Sequence, residues 1–514
     1  MQTDVLIVGA GPTGLALACQ LIRHGVDFVI IDKKETTTPH SRAIGVQART
    51  LEIYEQMGLA APLIELGEPA EKVRMIAGGE VRGEAILKDI GKGLSPYPFL
   101  LIVEQGKHER LLYDHIREND RDVLWQTDMT ELSQDGNGVT AEVVRSDGAV
   151  NTITAKYLVG CDGASSRVRH QLGLTFEGDT VGRLFYVADV QIDWEFDHDA
   201  LHVCLAEQTI TAFFPMVGAK RWRIVGTFPE GHEKDEGEIL YEEIERQIEL
   251  DTELDLDISN VNWFSVYKVH SRAANSFSKG RCFIAGDAAH IHTPAGAQGM
   301  NTGIQDGYNL AWKLALICRH AGQNDLLSTY NEERLPNALR LLATTDRFFR
   351  LGATDEWFIS FVRTHVFPYV LGFALSLDVV KNAIFPLVSQ IGISYAGSSL
   401  SKQKGDFEVK AGDRMPWSEI DGKSIYDQLR APNFHLLFFL DRTTEVPSLP
   451  AKLMDQWSVL IDTHVFEQSS TVANAFGTFA SFYVILRPDN YIGLISDDFS
   501  PEIVAEYLAK YLKG

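Results

Sequence analysis

Residues 4–32 read DVLIVGAGPTGLALACQLIRHGVDFVIID, and this stretch decides the fold. An apolar run leads into Gly9-Ala10-Gly11-Pro12-Thr13-Gly14. An amphipathic segment follows up to Gly25, and a second apolar run ends on Asp32. The order of strand, glycine-rich turn, helix, strand and acid is the layout of a dinucleotide-binding βαβ unit. The stretch therefore predicts an α/β fold that begins with a Rossmann-like unit.

The glycine-rich turn predicts a phosphate-binding site. Its first glycine permits a tight turn, the second lets the backbone approach a pyrophosphate, and the third lets helix and strand pack closely. The helix start offers free N–H groups and a positive dipole end. Asp32 is placed to accept hydrogen bonds from a ribose diol, which favours NAD or FAD over NADP. The alternative is a plain structural turn, which the flanking strand, helix and acid disfavour.

Length and charge narrow the class of protein. The chain has 514 residues, which suggests two to four domains, and its hydrophobic content of 45% is ordinary for a globular protein. The net charge is −23 and the pI is near 5.1. Such a surface repels nucleic acid and anionic lipid, so we expect neither as a partner.

Cysteine usage and apolar runs indicate a cytoplasmic protein. The five cysteines form no C-x-x-C pair and no metal-ligand spacing, so we expect reduced, buried thiols and no metal site. The first strand starts too early for a signal peptide. The apolar stretch Phe358–Leu377 is interrupted by Arg363, His365 and Pro368. It is interpreted as a buried or interface helix, not as a membrane-surface contact, and no stable membrane insertion is expected.

Two further buried strands end on acids. The run 157–161 leads into Asp162-Gly163, and the run 281–286 leads into Asp287. In an open parallel sheet such positions lie at the crevice where ligands bind. Taken alone, Asp287 could equally be a helix cap or a turn residue.

The remaining segments show clear periodicities. Residues 176–271 alternate as in an antiparallel sheet interrupted by a helix over 237–250, and a strong amphipathic helix is predicted from Gly303 onward. Helices continue to about residue 390. Near the C-terminus we predict strands at His435–Leu440, Trp457–Ile461 and Phe482–Leu486 and a helix at Pro501–Lys513.

Together these motifs resemble a known family, the group A FAD-dependent aromatic hydroxylases. More narrowly, the chain resembles the phenol hydroxylase, pentachlorophenol monooxygenase and aromatic polyketide hydroxylase branch. The resemblance covers essentially the whole chain. It is carried by Gly9–Gly14, by Asp162-Gly163-Ala164-Ser165-Ser166-Arg167-Val168-Arg169, by Gly286-Asp287-Ala288-Ala289-His290 and by Gly299-Met300-Asn301-Thr302-Gly303-Ile304-Gln305-Asp306.

The resemblance implies the domain organisation. It implies a discontinuous Rossmann-like FAD-binding domain (GR2 type) over 1–75, 100–175 and 272–345. An antiparallel sheet domain for the substrate is expected over 76–99 and 176–271. A helical connecting region over 346–400 then leads to a thioredoxin-like C-terminal domain over 401–514, which has no cysteine.

The resemblance also implies cofactor contacts. Asp32 would bind the adenosine ribose, Arg42 and Gln105 the pyrophosphate and ribityl region, and Asp287 the ribityl chain. Asp162 and Arg169 belong to a motif that serves both FAD and NAD(P)H. The implied cofactor-binding residues are Gly9, Gly11, Pro12, Thr13, Gly14, Asp32, Lys33, Arg42, Gln105, Asp162, Arg169, Gly286, Asp287, Pro294, Gly296, Ala297, Gln298, Gly299, Met300 and Asn301.

The implied reaction is a hydroxylation. Members of the family reduce FAD with NADPH or NADH, form a flavin C4a-hydroperoxide from O2, and transfer its distal oxygen to a phenolic or polycyclic aromatic substrate. The loop from Pro294 to Asn301 would stabilise the anionic reduced flavin with backbone N–H groups and the helix dipole. Alternatives are a monooxygenase that inactivates tetracycline or rifamycin antibiotics, a flavin reductase, or a non-oxygenating binding protein. A homodimer fits the family.

The candidate catalytic residues lie in the predicted sheet domain or just after it. Arg272, His270 and Tyr186 are candidates, each weighed against a core or surface role. His290 is expected to be a structural hydrogen-bonding residue. Four aromatic residues are expected in the core of the sheet domain, with a role in lining the substrate cavity as the alternative: Phe185, Phe213, Phe214 and Trp222.

Overall fold

The structure is a computed structural model that describes residues 1–39, 43–232, 235–293, 297–353, 377–420, 422–445 and 456–513. The strands are β1 Gln2–Val8, β2 Phe28–Ile31, β3 Gly45–Val46, β4 Glu68–Pro69, β5 Lys72–Ala77, β6 Glu80–Ile86, β7 Leu101–Ile102, β8 Val123–Leu124, β9 Thr127–Gln134, β10 Val139–Arg145, β11 Val150–Gly160, β12 Phe176–Asp193, β13 Ala200–Leu205, β14 Ile210–Pro215, β15 Arg221–Thr227, β16 Asp257–Ala274, β17 Ser278–Lys279, β18 Cys282–Ile284, β19 His290–Ile291, β20 Lys402–Lys404, β21 Glu419–Ile420, β22 Lys423–Ser424, β23 Phe434–Leu440, β24 Ile461–Glu467, β25 Phe482–Leu486 and β26 Ile492–Ser496. The α-helices are α1 Pro12–Arg23, α2 Ala48–Glu55, α3 Ala60–Glu65, α4 Gln105–Glu118, α5 Arg167–Gln171, α6 Tyr241–Thr252, α7 Gly299–Cys318, α8 Ser328–Ala353, α9 Asp378–Val388, α10 Ser470–Phe476 and α11 Pro501–Tyr511.

The first sheet is the predicted Rossmann-like sheet. Its order is β17-β18-β11-β1-β2-β8, and β18, β11, β1, β2 and β8 run parallel. The hairpin β9–β10 attaches to β11 in antiparallel fashion. Helix α1 contacts both α4 and α7, and the apolar residues of the three helices belong to the same core as the strands. The parallel order brings the ends of β1, β11 and β18 to one edge.

The second sheet is the predicted antiparallel sheet, in the order β19-β16-β12-β15-β14-β13-β5-β6. Alternate residues along a strand face opposite sides. One face packs against α6 and forms a core that includes Tyr186, Phe213 and Trp222. The other face carries a separate apolar cluster with Phe185. The four aromatic residues of the sequence analysis are thus divided, because Phe214 also lies outside the α6 core.

The third sheet has the order β20-β26-β25-β23-β24. Strands β23 and β24 are parallel, whereas β25 is antiparallel to both β23 and β26. With α10 between β24 and β25 and α11 after β26, this is the expected thioredoxin-like arrangement. The predicted strand Trp457–Ile461 was wrong: strand pairing begins at Ile461, because residues 456–460 form a helical turn that buries Trp457.

Two helical predictions were also tested. Helix α7 begins at Gly299, a turn earlier than the predicted start at Gly303, because small residues at its start tolerate close packing. The helix expected over Phe358–Leu377 lies outside the described residues except for Leu377, which precedes α9. Among the residues that are described, none forms a helix long and apolar enough to cross a membrane. All five cysteines are buried and free, as expected.

The cores of the first and third sheets are continuous. A single hydrophobic cluster includes Val5 and Leu310 from the N-terminal part and Phe438 and Leu508 from the C-terminal part. The thioredoxin-like unit is therefore packed onto the first sheet through a shared core, which favours a fixed position for α7 between them.

Candidate active site

The glycine-rich turn adopts the geometry that its sequence predicts. Gly9 has a φ of +106°, and a Cβ on it would lie 2.3 Å from the carbonyl oxygen of Cys161. A Cβ on Gly14 would lie 1.9 Å from the carbonyl oxygen of Gly9. Gly11, in contrast, faces open space, with no atom within 4 Å of its Cβ position. Gly9 and Gly14 are therefore needed for close packing, whereas Gly11 leaves room for a ligand.

The ends of two helices fit an anionic cofactor. Neither α1, which follows Gly11, nor α7, which follows Gln298, receives a capping bond from its N-cap side chain. Their first N–H groups and positive dipole ends thus remain for a ligand. Thr13, in the first turn of α1, packs closely against Gly303 of α7 and against Gly286. A Cβ on Gly286 would lie 2.4 Å from Thr13 Oγ1, and a Cβ on Gly303 would lie 2.3 Å from it.

The glycine turn gives a matched pair of variants. Gly14→Ala is expected to destabilise the fold strongly, because the new methyl group overlaps a carbonyl oxygen. Gly11→Ala is expected to leave the melting temperature nearly unchanged and to weaken FAD binding about tenfold or more, since its methyl group occupies the cofactor's space. Thermal unfolding of the apoprotein and FAD titration separate the two effects. Equal FAD affinity in Gly11→Ala and the parent protein would contradict this role.

Asp32 is fixed at the end of β2 beside the turn. Its carboxylate accepts hydrogen bonds from the N–H groups of Ala10, at 2.6 Å, and Lys34, at 2.8 Å. Each oxygen keeps a lone pair for a ribose hydroxyl. The neighbouring Lys33 is exposed. The position of Asp32 supports the predicted ribose contact.

Gln105, at the start of α4, is oriented by a residue that the sequence analysis did not single out. Its Nε2 donates to Oε1 of the fully buried Glu109 at 2.7 Å. The other oxygen of Glu109 accepts the N–H of Thr38 at 2.8 Å. Glu109 thereby joins α4 to the loop after Asp32. The spacing of four residues places Gln105 and Glu109 on one helix face, but no sequence pattern indicated the contact with Thr38, 71 residues away.

Asp162 and Arg169 form one hydrogen-bonded motif. The Asp162 carboxylate accepts Ser166 Oγ at 2.5 Å and the N–H of Val168 at 3.1 Å. Arg169 is 2% exposed and donates from Nη1 to the carbonyl oxygen of Ala288 at 2.9 Å. The motif therefore reaches the turn that presents the exposed Asp287.

The flavin loop, which we define as residues 297–301, is held by Asn301. Its Oδ1 accepts the N–H of Gln47 at 2.9 Å and Thr50 Oγ1 at 2.8 Å, while its Nδ2 donates to the carbonyl oxygens of Gly45 and Ala297. All four side-chain hydrogen bonds are thus formed within the protein. Any contact of Asn301 with the cofactor must come from its backbone. Gln298 also turns away, toward the carbonyl oxygens of α9.

Beneath this loop lies a buried charge cluster around Asp306. Its carboxylate accepts the N–H of Gly286 at 2.9 Å, Nε2 of His290 at 2.7 Å and Nε of Arg334 at 2.6 Å. Asp306 and Arg334 are both 0% exposed. The structural role expected for His290 is confirmed. Asp306 stood in the family motif, but no sequence pattern pointed to Arg334 as its partner.

The candidate catalytic residues separate in space. Tyr186 lies on the sheet face that packs against α6, where its hydroxyl lies 2.8 Å from Thr211 Oγ1. This face is away from Phe185 and its cluster, so Tyr186 is a core residue here. His270 and Arg272 meet at Thr180, whose Oγ1 lies 2.8 Å from His270 Nδ1 and 3.1 Å from Arg272 Nη2.

Three predicted cofactor contacts lie outside the described residues, namely Arg42, Pro294 and Gly296. Gly9, Asp32, Asp162 and Asp287 of the same set follow the carboxyl ends of β1, β2, β11 and β18, which parallel pairing brings to one edge of the first sheet. The glycine turn follows β1, and the hydrogen bond from Arg169 to the carbonyl oxygen of Ala288 links the Asp162 motif to the turn after β18. Such an edge of an open parallel sheet is where nucleotides bind.

Comparisons with known proteins agree with this geometry. The profile of the FAD binding domain family matches residues 2–345. The chain is 34% identical to 6-methylpretetramide 4-monooxygenase from Streptomyces rimosus, over 85% of this chain and 79% of that protein. It is 31% identical to a flavin-dependent monooxygenase from Mycobacteroides abscessus, over 98% and 99% of the two chains.

A solved structure has the same fold as this chain. Anhydrotetracycline hydroxylase from Streptomyces rimosus superposes with a TM-score of 0.78 and 26% identity, over 99% of both chains. The fold and site define a flavoprotein of the Rossmann-like class with a separate substrate sheet. The chain belongs to the FAD binding domain family and, within it, to the FAD-dependent aromatic monooxygenases.

Proposed function

We propose that the protein uses NAD(P)H and O2 to hydroxylate a phenolic or polycyclic aromatic compound. The observation that carries this proposal is the meeting of two uncapped helix starts, α1 and α7, with the open side of Gly11 at one sheet edge. FAD supplies the redox chemistry when bound. The protein binds and orients the cofactor, and the start of α7 stabilises negative charge on the reduced ring.

The co-substrate proposal rests on two neighbouring guanidinium groups. Arg169 and Arg272 each have a buried Nε with no hydrogen-bond partner. Burial lowers the pKa of Arg169; Asp162 opposes this change, and the positive charge of Arg272 adds to it. In a chain of net charge −23, two adjacent cations with unused donors fit the pyrophosphate of a nicotinamide cofactor.

Arg272→Met tests this assignment. We expect the KM for NAD(P)H to rise about tenfold, the loss typical of a charge-assisted hydrogen bond, with FAD content unchanged. Arg121→Met, which removes a surface pair with Asp27, is the control and should leave the KM unchanged. An unchanged KM in Arg272→Met would place the nicotinamide cofactor elsewhere.

The three sheets support an assignment of domain functions, in which β5 (Lys72–Ala77) and β16 (Asp257–Ala274) of the second sheet extend across two of the boundaries. We assign cofactor binding to 1–75, 100–175 and 272–345, and substrate binding to 76–99 and 176–271. The face of the second sheet that carries Phe185 and Tyr267, stacked with ring centroids 5.9 Å apart, favours an aromatic ligand. We assign residues 346–400 to the connection and 401–514 to the thioredoxin-like unit.

The activity is tested on purified, FAD-loaded protein. NADH or NADPH oxidation is followed with a panel of phenols, a tetracycline and a rifamycin, and products are analysed by mass spectrometry under labelled O2. Incorporation of one labelled oxygen atom supports the proposal. Failure of both nucleotides to reduce the flavin with every compound would overturn it. Flavin reduction without any oxygenated product would instead indicate a reductase.

A further inference from the structure

The second sheet carries a buried ion pair that the reaction described above does not explain. Asp189 and Arg223 lie directly opposite each other on β12 and β15. Arg223 donates from Nε and Nη2 to the two carboxylate oxygens at 2.6 and 2.7 Å. They are only 6% and 1% exposed. Burying such a pair has a large desolvation cost, so its presence points to a task beyond stability.

The pair lies on the sheet face opposite α6. Its strand neighbours Ala188 and Ile224 belong to the α6 core, and side chains alternate along a strand. The same face carries the aromatic cluster of Phe185 and Tyr267. The ion pair is therefore on the side of the sheet that we assign to the substrate.

Arg223 also contacts a segment outside its own sheet. Its Nη1 donates to the carbonyl oxygen of Ala43 at 2.9 Å. Ala43 begins the segment 43–47, which we call the strap and which pairs with β7 through Gly45 and Val46. One charged side chain thus connects the substrate sheet to a short segment of the cofactor domain.

The strap also contacts the flavin loop. Asn301 donates to the carbonyl oxygen of Gly45 at 3.0 Å and accepts the N–H of Gln47 at 2.9 Å. Gly45 and Ala297 are packed so closely that a Cβ on Gly45 would lie 2.7 Å from the Cβ of Ala297. Ala297 itself has a φ of +52°, a backbone conformation that residues other than glycine rarely adopt unless surrounding contacts hold them in it.

We propose that Arg223, oriented by Asp189, is a positioning residue that holds the strap and, through Asn301, sets the flavin loop against the substrate sheet. Because the hydrogen bonds of Asn301 are all used, a displaced strap must displace the start of α7 with it. The inference deepens the proposed function and depends on it only for the effect on product formation.

The test removes both charges, so that no lone buried charge is left. Asp189→Leu/Arg223→Met is compared with Arg74→Met/Glu84→Leu, which removes an ion pair of 2.8 Å from β5 and β6 of the same sheet. We expect the first variant to bind FAD about tenfold more weakly, as for loss of one charge-assisted hydrogen bond, and the control to bind it normally. Arg223→Lys, which keeps the charge but not the fork of donors, should fall between them.

The second measurement is the fate of O2 at saturating FAD and substrate. A mispositioned loop should release a larger share of the consumed O2 as H2O2, at least twice that of the control variant, whereas a loss of stability alone would leave this share unchanged. Thermal unfolding of both double variants corrects for stability. FAD affinity and H2O2 share equal to those of the control variant would overturn the proposal. If the parent protein makes no oxygenated product, the proposed function fails, and FAD affinity alone still decides the role of Arg223.

Discussion

Asp306→Leu is expected to abolish the accumulation of folded, FAD-loaded protein. The leucine removes the acceptor for Gly286 and His290 and leaves the guanidinium of Arg334 buried without a counter-charge. Breaking a buried ion pair in this way costs about 3–5 kcal/mol, a large share of the stability of a typical domain. Soluble yield, melting temperature and the ratio of flavin to protein absorbance report the loss.

The ionisation of Asp306 agrees with this expectation. Burial alone would raise the pKa of Asp306, but Arg334 and His290 outweigh burial and lower it from the usual 3.8. The ionised carboxylate therefore stabilises the fold fully at pH values above the usual pKa of 3.8, and this contribution is lost as the pH falls through the lowered pKa of the folded protein. Asp128→Leu, which removes an exposed pair with Arg167, is the control and should cost at most about 1 kcal/mol. Normal flavin content in Asp306→Leu would refute the role of this cluster.

Arg487→Met is expected to have the second largest effect. Arg487 donates to both oxygens of Glu333 on α8, at 2.6 and 3.0 Å, and to both oxygens of Asp489. All three side chains are 0% exposed. The methionine leaves two buried carboxylates without their shared guanidinium, and burial lowers the pKa of the neighbouring Lys313 to about 8 although Glu333 opposes the change. We expect a loss of about 3–5 kcal/mol.

The position of this network gives the loss a specific consequence. Asp489 also accepts Trp312 Nε1 of α7 at 3.0 Å, so the network joins the thioredoxin-like unit to the helix that begins at the flavin loop. We expect Arg487→Met to lower the melting temperature and to weaken FAD binding together, as measured by thermal unfolding and FAD titration. Arg442→Met, an exposed pair with Glu467 in the same unit, is the matched control. A melting temperature equal to that of the control would contradict the prediction.

Local chemistry made much of the site predictable. The glycine turn, Asp32, Asp162 and Asp287 each follow a buried strand, and parallel pairing brings such strand ends to one edge. Those positions needed only the order of apolar runs and turns. The family motifs then identified the cofactor as FAD.

Contacts between distant segments could not be predicted in this way. Arg334 and Arg223 lie 28 and 34 residues from their carboxylate partners, and no periodicity connects them. The alternation of residues 176–271 indicates two faces but not which face α6 covers, so the sequence left Tyr186 as a catalytic candidate beside its core reading. The close packing of Gly303 against Thr13 and of Gly45 against Ala297 likewise joins segments that lie far apart in sequence.

The hydrophobic core shared by the first and third sheets has a consequence for how the molecule opens. Regions that share a core and a buried charge network exchange their amide hydrogens with solvent as one cooperative unit. The amides of α7 and of β23 and β25 should therefore show similar protection, and ligand binding at the flavin loop should slow exchange in the thioredoxin-like unit. We therefore expect the appended unit to unfold together with the cofactor domain.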